Sequence, residues 1–464
     1  MYRGLSKENS RSLINDFPVE ILAKIFKIIH SDLLYDNNNQ WREVSDDKLA
    51  SPSLFPYSIS KVCRYWDAVM ASFPEFWVRI VIYIDQPGHL ELSKLYLNRS
   101  QSLELDSISV IRSSQDTSLV DPSEKENLQN VLRLVSGHYS RSQSLIIRTL
   151  TTDSLPTSIS NAFKLKILRL ESSQRGSHAT PPNPVLLPSH TDVCKDLRIL
   201  SLTGPIFVTL WRNSEWRKAL SVVFLESLTI AHLRTGDGGE NPFTFQELWR
   251  SYRMNRIEHL SWINIDVSND YMADLTHDFN HIHLNTSSFT FDTVPANILR
   301  ALYNHLEDYP CFEIVLQKFR SCSFYGCLQI PFSDRIEVSR ITSPDSLSLF
   351  FEIADTNELL IYDCPGLDDA SMGILGRFHF QQRTPLPKMW SLEIRDCSNF
   401  SVCALREFIE FRKSCLLEND DNDWETQANE IICLSLLGSC PPLSEEEKGW
   451  FENNVDKFKY ENLI

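Results

Sequence analysis

The stretches ELLIYDCPGL, at residues 358–367, and WSLEIRDCSNF, at residues 390–400, contain the pattern on which most of this chain is built. In each stretch a leucine, one further residue and a second apolar residue lead into an Asp-Cys step. Alternating apolar positions over so short a run are typical of a β-strand with one buried face. Four earlier stretches have the same Leu-x-apolar core, and the six cores are anchored at Leu168, Leu200, Leu228, Leu260, Leu359 and Leu392.

The six anchors recur at a nearly constant interval. Their successive spacings are 32, 28, 32, 99 and 33 residues, and a period in this range is typical of stacked repeats. The long interval is three times 33 residues and leaves room for two degenerate units, with candidates near Ile282 and Ile314. Residues 242–253 and 401–414 lie between strands and are predicted helices; the second has helical spacing of Leu405, Phe408, Ile409 and Arg412.

The pattern resembles leucine-rich repeats, in which each unit gives one short strand and a returning segment. A Cys or Asn after such a strand satisfies backbone groups at the turn, and Cys364 and Cys397 occupy that position. The alternative is a generic α/β domain in which the leucines recur by chance. Residues 415–464 are expected to form an acidic loop and a helical cap, in which Ser444 and Glu447 make a capping box.

The N-terminal region carries two apolar helices and a strand. Pro18 suits the first turn of a helix, and one face of that helix collects Ile21, Leu22, Ile25, Phe26 and Ile29. A second helix, ended by Pro74, is predicted from the spacing of Ile59, Val62, Cys63, Trp66, Val69, Met70 and Phe73. A strand follows, predicted by the alternation of Val78, Ile80, Ile82 and Ile84.

This N-terminal region resembles an F-box. FPVEILAKIF, at residues 17–26, is similar to the family's Leu-Pro-x-Glu-Ile-Leu-x-x-Ile-Phe helix. VCRYWDAVMASFPEFWVRIVI, at residues 62–82, is similar to its Val-Cys-Arg-x-Trp helix and Pro-x-Leu-Trp ending. Phe17 and Phe76 stand where the family has leucine, so a large apolar group is kept at both positions. The resemblance to fungal F-box proteins continues to about residue 150.

The resemblance implies docking on the Skp adaptor of a cullin–RING ubiquitin ligase. A unit of this size does not bury so wide an apolar surface by itself, and unpartnered apolar patches usually mark interfaces. By analogy with the family, adaptor contact is expected at Pro18, Ile21, Leu22, Ile25, Val62 and Trp66. The alternative is that these side chains are internal core, which is the preferred interpretation for Phe26, Cys63, Val69 and Met70.

Composition excludes several classes of function. The chain has 464 residues, 42% of them hydrophobic, with a net charge of −16 and no Lys/Arg block that could neutralise phosphates. Nucleic-acid binding is therefore not expected. No apolar run is long enough to span a bilayer, and no secretory signal begins the sequence. The 11 cysteines form no CxxC pair, which favours reduced thiols in the cytoplasm or nucleus.

The sequence contains no recognisable catalytic motif. A Gly-rich phosphate loop, a G-x-S-x-G elbow and an H-E-x-x-H helix are all missing. A zinc site could use His277, His281 and His283 with Asp274 or Asp278. The stretch HIHLNT has the character of a repeat strand, however, and successive strand side chains point to opposite faces. Neither a catalytic residue nor a metal or other cofactor is therefore expected.

The predicted fold class is mixed α/β, with a three-helix F-box, an irregular leucine-rich-repeat-like solenoid and a C-terminal helical cap. The expected function is that of a substrate receptor of an SCF-type ligase, which binds a Skp-family adaptor, through it a cullin, and an unknown target protein. The alternatives are a non-ligase interaction scaffold and, third, a metal-dependent hydrolase at His277. The predicted segments are a tail at 1–12, the F-box at 13–85, a connecting segment at 86–160, the repeats at 161–414 and the cap at 415–464.

Overall fold

The computed structural model divides the chain into two compact units. The first comprises Met1–Gly176 and Leu186–Asp196, and the second Ser177–Val185 and Leu197–Ile464. Within them the structure describes residues 17–34, 55–113, 121–156, 159, 164–174, 195–221, 223–239, 241–253, 256–267, 286–306, 314–327, 329–377, 384–417 and 428–462. The fold is mixed α/β, as predicted, and its strands pair in parallel.

The first unit begins with helices and continues as alternating strands and helices. Its helices are α1 Val19–Leu34, α2 Tyr57–Ser60, α3 Arg64–Ala71, α4 His89–Arg99 and α5 Glu124–Val135. Short 3₁₀ turns cover Pro74–Trp77, Ser136–Arg141 and Thr152–Ser154. The strands are β1 Arg79–Tyr83, β2 Ser107–Ile111, β3 Ser144–Thr151 and β4 Ile167–Gln174. They pair in parallel and in chain order.

The stretch predicted as the second N-terminal helix forms two helices, α2 and α3. The prediction of a single continuous helix was therefore wrong. The break lies at Cys63, which is extended at φ −161° and ψ 165° and forms the N-cap of α3. Its sulfur accepts from the backbone N–H of Trp66 at 3.5 Å, which satisfies a donor that the first turn leaves free. The spacing predicted the buried face correctly in part: Val69 and Met70 belong to the core cluster and Ile59 packs against it, whereas Val62 is exposed.

Tyr57 covers the outer edge of β1. Its hydroxyl donates to the carbonyl of Arg79 at 2.9 Å and accepts from the N–H of Val81 at 2.8 Å. An edge strand otherwise presents unpaired backbone groups that invite pairing with another chain. The helical N-terminal region therefore protects the strand that follows it.

The second unit repeats strands and connections in chain order. Its strands are β5 Ile199–Thr203, β6 Phe224–Ala231, β7 Arg256–Ile263, β8 Ser288–Asp292, β9 Ile314–Arg320, β10 Ser333–Ser339, β11 Thr356–Tyr362, β12 Ser391–Arg395, β13 Cys433–Gly438 and β14 Lys457–Asn462. Its helices are α6 Gly204–Arg212, α7 Ser214–Ser221, α8 Phe245–Arg253, α9 Ala296–Leu306, α10 Pro344–Ile353, α11 Asp369–Leu375, α12 Val402–Leu417 and α13 Glu445–Asn454, with a 3₁₀ turn at Thr235–Gly238. All neighbouring strands are parallel, and the sheet does not close.

The predicted anchors lie at matching positions of their strands. Leu200, Leu228 and Leu260 are aligned across β5, β6 and β7, and Leu359 pairs with Leu392 across β11 and β12. All are buried. Because alternate residues of a strand face the same side, one buried column of side chains runs across the sheet.

The long interval between anchors holds three strands rather than the two units predicted. The aligned positions of β8, β9 and β10 are Phe289, Gln317 and Ile336, so none carries the leucine that marks the other units. The candidate near Ile314 is confirmed as β9. The candidate near Ile282 lies outside the described residues.

A left-handed residue ends most strands of the second unit. Seven residues have φ between 50° and 57°, and each N–H donates to a carbonyl at or next to the end of the following strand. The next side chain is then buried, and in three units it is a cysteine, Cys322, Cys364 or Cys397. These residues are His232, Asn264, Thr293, Ser321, Arg340, Asp363 and Asp396.

The C-terminal segment contains both a helix and further strands. The predicted capping box of Ser444 and Glu447 begins α13, as expected. Strands β13 and β14 lie in the same segment and continue the sheet beyond residue 414. Among the described residues, the model contains no helix whose length and apolar character would let it cross a bilayer.

Candidate docking surface

A stripe of exposed apolar side chains runs along α1. Ile21 and Ile25 are 46% and 37% exposed, and Ile28 is also exposed. Their spacing of i, i+4 and i+7 places them on one side of the helix. Val62, just before α3, is 59% exposed. We call Ile21, Ile25, Ile28 and Val62 the docking stripe.

Contacts between α1 and α3 hold the two ends of this surface together. The ring of Phe26 meets that of Trp66 edge-on, with centroids 5.2 Å apart. The hydroxyl of Tyr65 donates to the carbonyl of Phe17 at 2.9 Å. The beginning of α1 therefore lies against the first turn of α3, next to Val62.

A complete hydrophobic core lies behind the docking stripe. Phe26, Met70, Phe76 and Trp77 are buried in one cluster, and the indole N–H of Trp77 donates to the carbonyl of Met70 at 2.9 Å. The helices have thus already buried one apolar face. The exposed isoleucines and Val62 are additional to the core rather than part of it.

The structure separates the six predicted adaptor contacts into three groups. Pro18, Ile21, Ile25 and Val62 are exposed, and Trp66 is half-buried. Leu22 is only 1% exposed and belongs to the core cluster, so it offers no surface to a partner. The predicted core residues Phe26, Val69 and Met70 are buried, whereas Cys63 is a half-buried helix cap.

Sequence reasoning missed part of the exposed surface. Phe17 and Val19 are exposed at the start of α1, although neither was assigned to a contact. The available signal was their position on either side of Pro18, which was itself assigned to the contact. Ile28 was not assigned to a contact either, and its i+7 spacing from Ile21 was the sign that it extends the stripe.

Two ion pairs and one histidine shape the electrostatics near the stripe. Lys27 pairs with Glu75 at 3.1 Å. Asp67 accepts two bonds from Arg99, at 2.9 and 2.8 Å. Burial, together with the positive charge of a nearby arginine, lowers the pKa of His30 to about 4. The imidazole is therefore neutral near pH 7, and these pairs add no net charge.

The residues of the zinc site considered as an alternative lie outside the part of the chain that the structure describes. His277, His281 and His283 lie outside the described residues, as do Asp274 and Asp278. Within the described ranges, no group of three or more His, Cys, Asp or Glu side chains is arranged to hold a metal ion.

Neither the family models nor the curated proteins contain a match to this chain. Three of the four residues of the docking stripe, Ile21, Ile25 and Val62, lie in residues 17–26 and 62–82. The first stretch forms the first half of α1, and the second contains α3, the 3₁₀ turn at Pro74–Trp77 and the beginning of β1.

Proposed function

We propose that this chain is a substrate-receptor subunit of an SCF-type cullin–RING ubiquitin ligase. The docking stripe binds the Skp adaptor, and the second unit recruits a target protein. The observation that carries the proposal is the set of exposed apolar side chains on α1 and before α3, next to a core that is already complete. The F-box-like sequence of the same helices supplies the identity of the partner.

The energetics of the docking stripe support a partner. Covering a Val or Ile side chain contributes about 1.5–3 kcal/mol when its exposed area is fully buried. Ile21, Ile25, Ile28 and Val62 are partly exposed, so each gains a share of that free energy in a complex. Monomeric proteins rarely expose contiguous apolar surface without such a use.

The second unit is the proposed recruiting surface. Its strands repeat in chain order, with aligned leucines and a left-handed residue after each of seven strands. We interpret this as leucine-rich-repeat-like architecture. The chain itself performs no chemistry in this proposal. It raises the effective concentration of the target near the ubiquitin-charged enzyme.

A binding experiment tests the adaptor contact with exposed residues only. The triple variant Ile21→Ser/Ile25→Ser/Val62→Ser is compared with the unmutated full chain for binding to a purified Skp-family adaptor. We expect at least about 30-fold weaker binding, because interface hot spots typically cost about 2 kcal/mol or more on truncation. Leu22 is left unchanged, since its burial means that a substitution would disturb folding.

The matched control removes apolar surface elsewhere in the same unit. Leu92 and Leu95 on α4 are 40% and 41% exposed, so Leu92→Ser/Leu95→Ser removes two aliphatic side chains that are about as exposed as Ile21 and Ile25. This control should bind as the unmutated chain does. Equal binding by the triple variant, or no binding by a folded unmutated chain, would overturn the adaptor contact. Adaptor binding without recovery of a cullin from cells would identify a non-ligase scaffold instead.

A further inference from the structure

Basic side chains border the docking stripe, although the chain carries a net charge of −16. Lys24, Lys61 and Arg64 are exposed. Lys24 is three residues after Ile21 and four before Ile28, so it neighbours both on the surface of α1. Lys61 and Arg64 lie one residue before and two residues after Val62. None of the three pairs with a carboxylate among the described residues, unlike Lys27 and Arg99.

These helices carry two acids that pair with no base among the described residues, Glu20 and Asp32. Glu20 is turned about 100° from Ile21 around α1, but it lies four residues before Lys24 and so partly offsets the charge of that lysine. Asp32 follows Ile28 by four residues and so lies at the far end of the stripe. At 1.5 Å per residue, Asp32 is about 20 Å along the helix from Pro18. The first half of the stripe is therefore bordered mainly by positive charge.

The helix ends reinforce this polarity. The bond from Tyr65 to the carbonyl of Phe17 brings the N-terminal ends of α1 and α3 together. Each helix N-terminus carries a partial positive charge from its aligned peptide dipoles. Both partial charges lie at the same end of the stripe as Lys61 and Arg64, and away from Asp32.

We infer that the partner of the docking stripe is a protein whose apolar groove is bordered by carboxylates where it meets Lys24, Lys61 and Arg64. This rests on the proposed function, since it specifies the chemistry of the surface that covers the stripe. The apolar side chains supply the contact. Lys24, Lys61 and Arg64, which we call the basic border, set the orientation of the partner. Charges at the rim of an interface act mainly on the association rate and on its salt dependence.

The basic border counteracts the long-range repulsion between this chain and an acidic partner. An acidic partner and a chain of net charge −16 repel each other overall. Local positive charge at the stripe offsets that repulsion over about one Debye length, which is about 8–10 Å at physiological salt. Association through this surface is therefore favoured over association through other surfaces.

Association kinetics with a purified Skp-family adaptor test the inference. The full chain is compared with Lys24→Glu/Lys61→Glu/Arg64→Glu, at salt concentrations from about 20 mM to about 500 mM. The control, Lys94→Glu/Lys125→Glu/Arg133→Glu, makes the same change in net charge at exposed sites on α4 and α5. We expect the first variant to associate about 10-fold more slowly at low salt and to lose most of its salt dependence.

The outcomes separate this inference from the proposed function. The control should associate nearly as fast as the unmutated chain. If both variants slow association equally, net charge alone is responsible, and the inference about the basic border is overturned. If the unmutated chain binds with an association rate that salt does not change, the border is overturned while the adaptor contact stands. If a folded unmutated chain does not bind at all, the proposed function and this inference both fall.

Discussion

The backbone N–H of Cys364 donates to the sulfur of Cys397 at 3.4 Å, across the gap between two successive repeats. Each thiol in turn reaches back to the preceding strand, Cys364 to the carbonyl of Val338 at 3.7 Å and Cys397 to that of Ile361 at 3.9 Å. The Asp-Cys step therefore joins backbone groups that the turn would otherwise leave unpaired in a buried position.

This arrangement predicts that the two thiols are unreactive in the folded chain. Burial raises the pKa of Cys364 to about 11 and that of Cys397 to about 12, so both remain protonated. Cys403 on α12 is exposed, and although Glu407 raises the pKa of its thiol, an alkylating reagent reaches it directly. We expect iodoacetamide to label Cys403 at least about 10-fold faster than Cys364 or Cys397 in native protein.

Peptide mass spectrometry of the alkylated chain measures these rates. The denatured chain is the control, in which all three thiols should react at similar rates. Labelling of Cys397 as fast as Cys403 under native conditions would show that the turn opens readily.

The left-handed position after β8 predicts a stabilising substitution. Thr293 has a φ of 55°, and a β-branched residue is strained there. Asn264 occupies the same position after β7, at a φ of 52°, and asparagine tolerates that conformation. Thr293→Asn should therefore raise the free energy of unfolding by about 0.5–1 kcal/mol, measured by urea denaturation.

The reciprocal change tests the same cause. Asn264→Thr should lower the free energy of unfolding by a similar or larger amount, because the amide of Asn264 also contacts the ring nitrogen of His232 at 3.0 Å. Equal stability of Thr293→Asn and the unmutated chain would show that the surrounding turn absorbs the strain.

A buried glutamine in β9 predicts a cost for an apolar replacement. Gln317 lies in the column where the neighbouring strands have Phe289 and Ile336. Its amide accepts from the hydroxyl of Tyr303 at 2.7 Å and donates to the carbonyl of Pro331 at 2.9 Å. Gln317→Leu leaves the buried hydroxyl of Tyr303 without its acceptor and the half-buried carbonyl of Pro331 without its donor, so it should cost about 2–3 kcal/mol, although leucine suits the column.

The double variant distinguishes lost hydrogen bonds from poor packing. Tyr303→Phe/Gln317→Leu removes the hydroxyl that the single variant leaves without an acceptor. Urea denaturation should show that the double variant recovers about 1 kcal/mol or more of the loss. Additive losses from the two substitutions would point to packing as the cause.

Local apolar patterns were sufficient to predict the strands that carry leucine at the aligned position. The alternation around Leu200 or Leu392 is visible in sequence because one face of each strand is buried. Strand β10 was missed because its sequence, SDRIEVS, alternates Ile336 and Val338 with charged residues and has no leucine. The glutamine at the aligned position of β9 was not predicted either, since the partners of Gln317 lie 14 residues before and after it, beyond the reach of a strand pattern.

Other features depend on tertiary contacts that no local pattern encodes. The left-handed positions are filled by residues as different as His232, Thr293 and Arg340, because the hydrogen bond to the next strand fixes the backbone there. The candidate site shows the same limit. Ile21 and Leu22 are equally apolar neighbours, and only the placement of α3 decides that Leu22 is buried and Ile21 exposed.

His30 predicts a loss of stability in mild acid. Its ring packs against Phe55 and Phe76, with centroids 5.2 and 5.5 Å apart. Burial and the charge of Arg79 lower its pKa to about 4, with Glu75 opposing in part. The unfolded chain takes up a proton as the pH falls below about 6.5, whereas the folded chain does not until about pH 4. The stability due to His30 is therefore complete above about 6.5 and is lost as the pH falls towards 4.

Thermal unfolding at about pH 7 and about pH 5 measures this effect. The side chain retains some solvent access, so we expect a loss of about 1 kcal/mol, or about 2–4 °C in the melting temperature. Carboxylates titrate in the same range, and His30→Gln isolates the contribution of the imidazole because it keeps a polar side chain that does not titrate. The variant should lose less of its melting temperature between the two pH values than the unmutated chain does. An unchanged difference would mean that His30 does not stay neutral in the folded chain, and that carboxylates alone set the acid sensitivity.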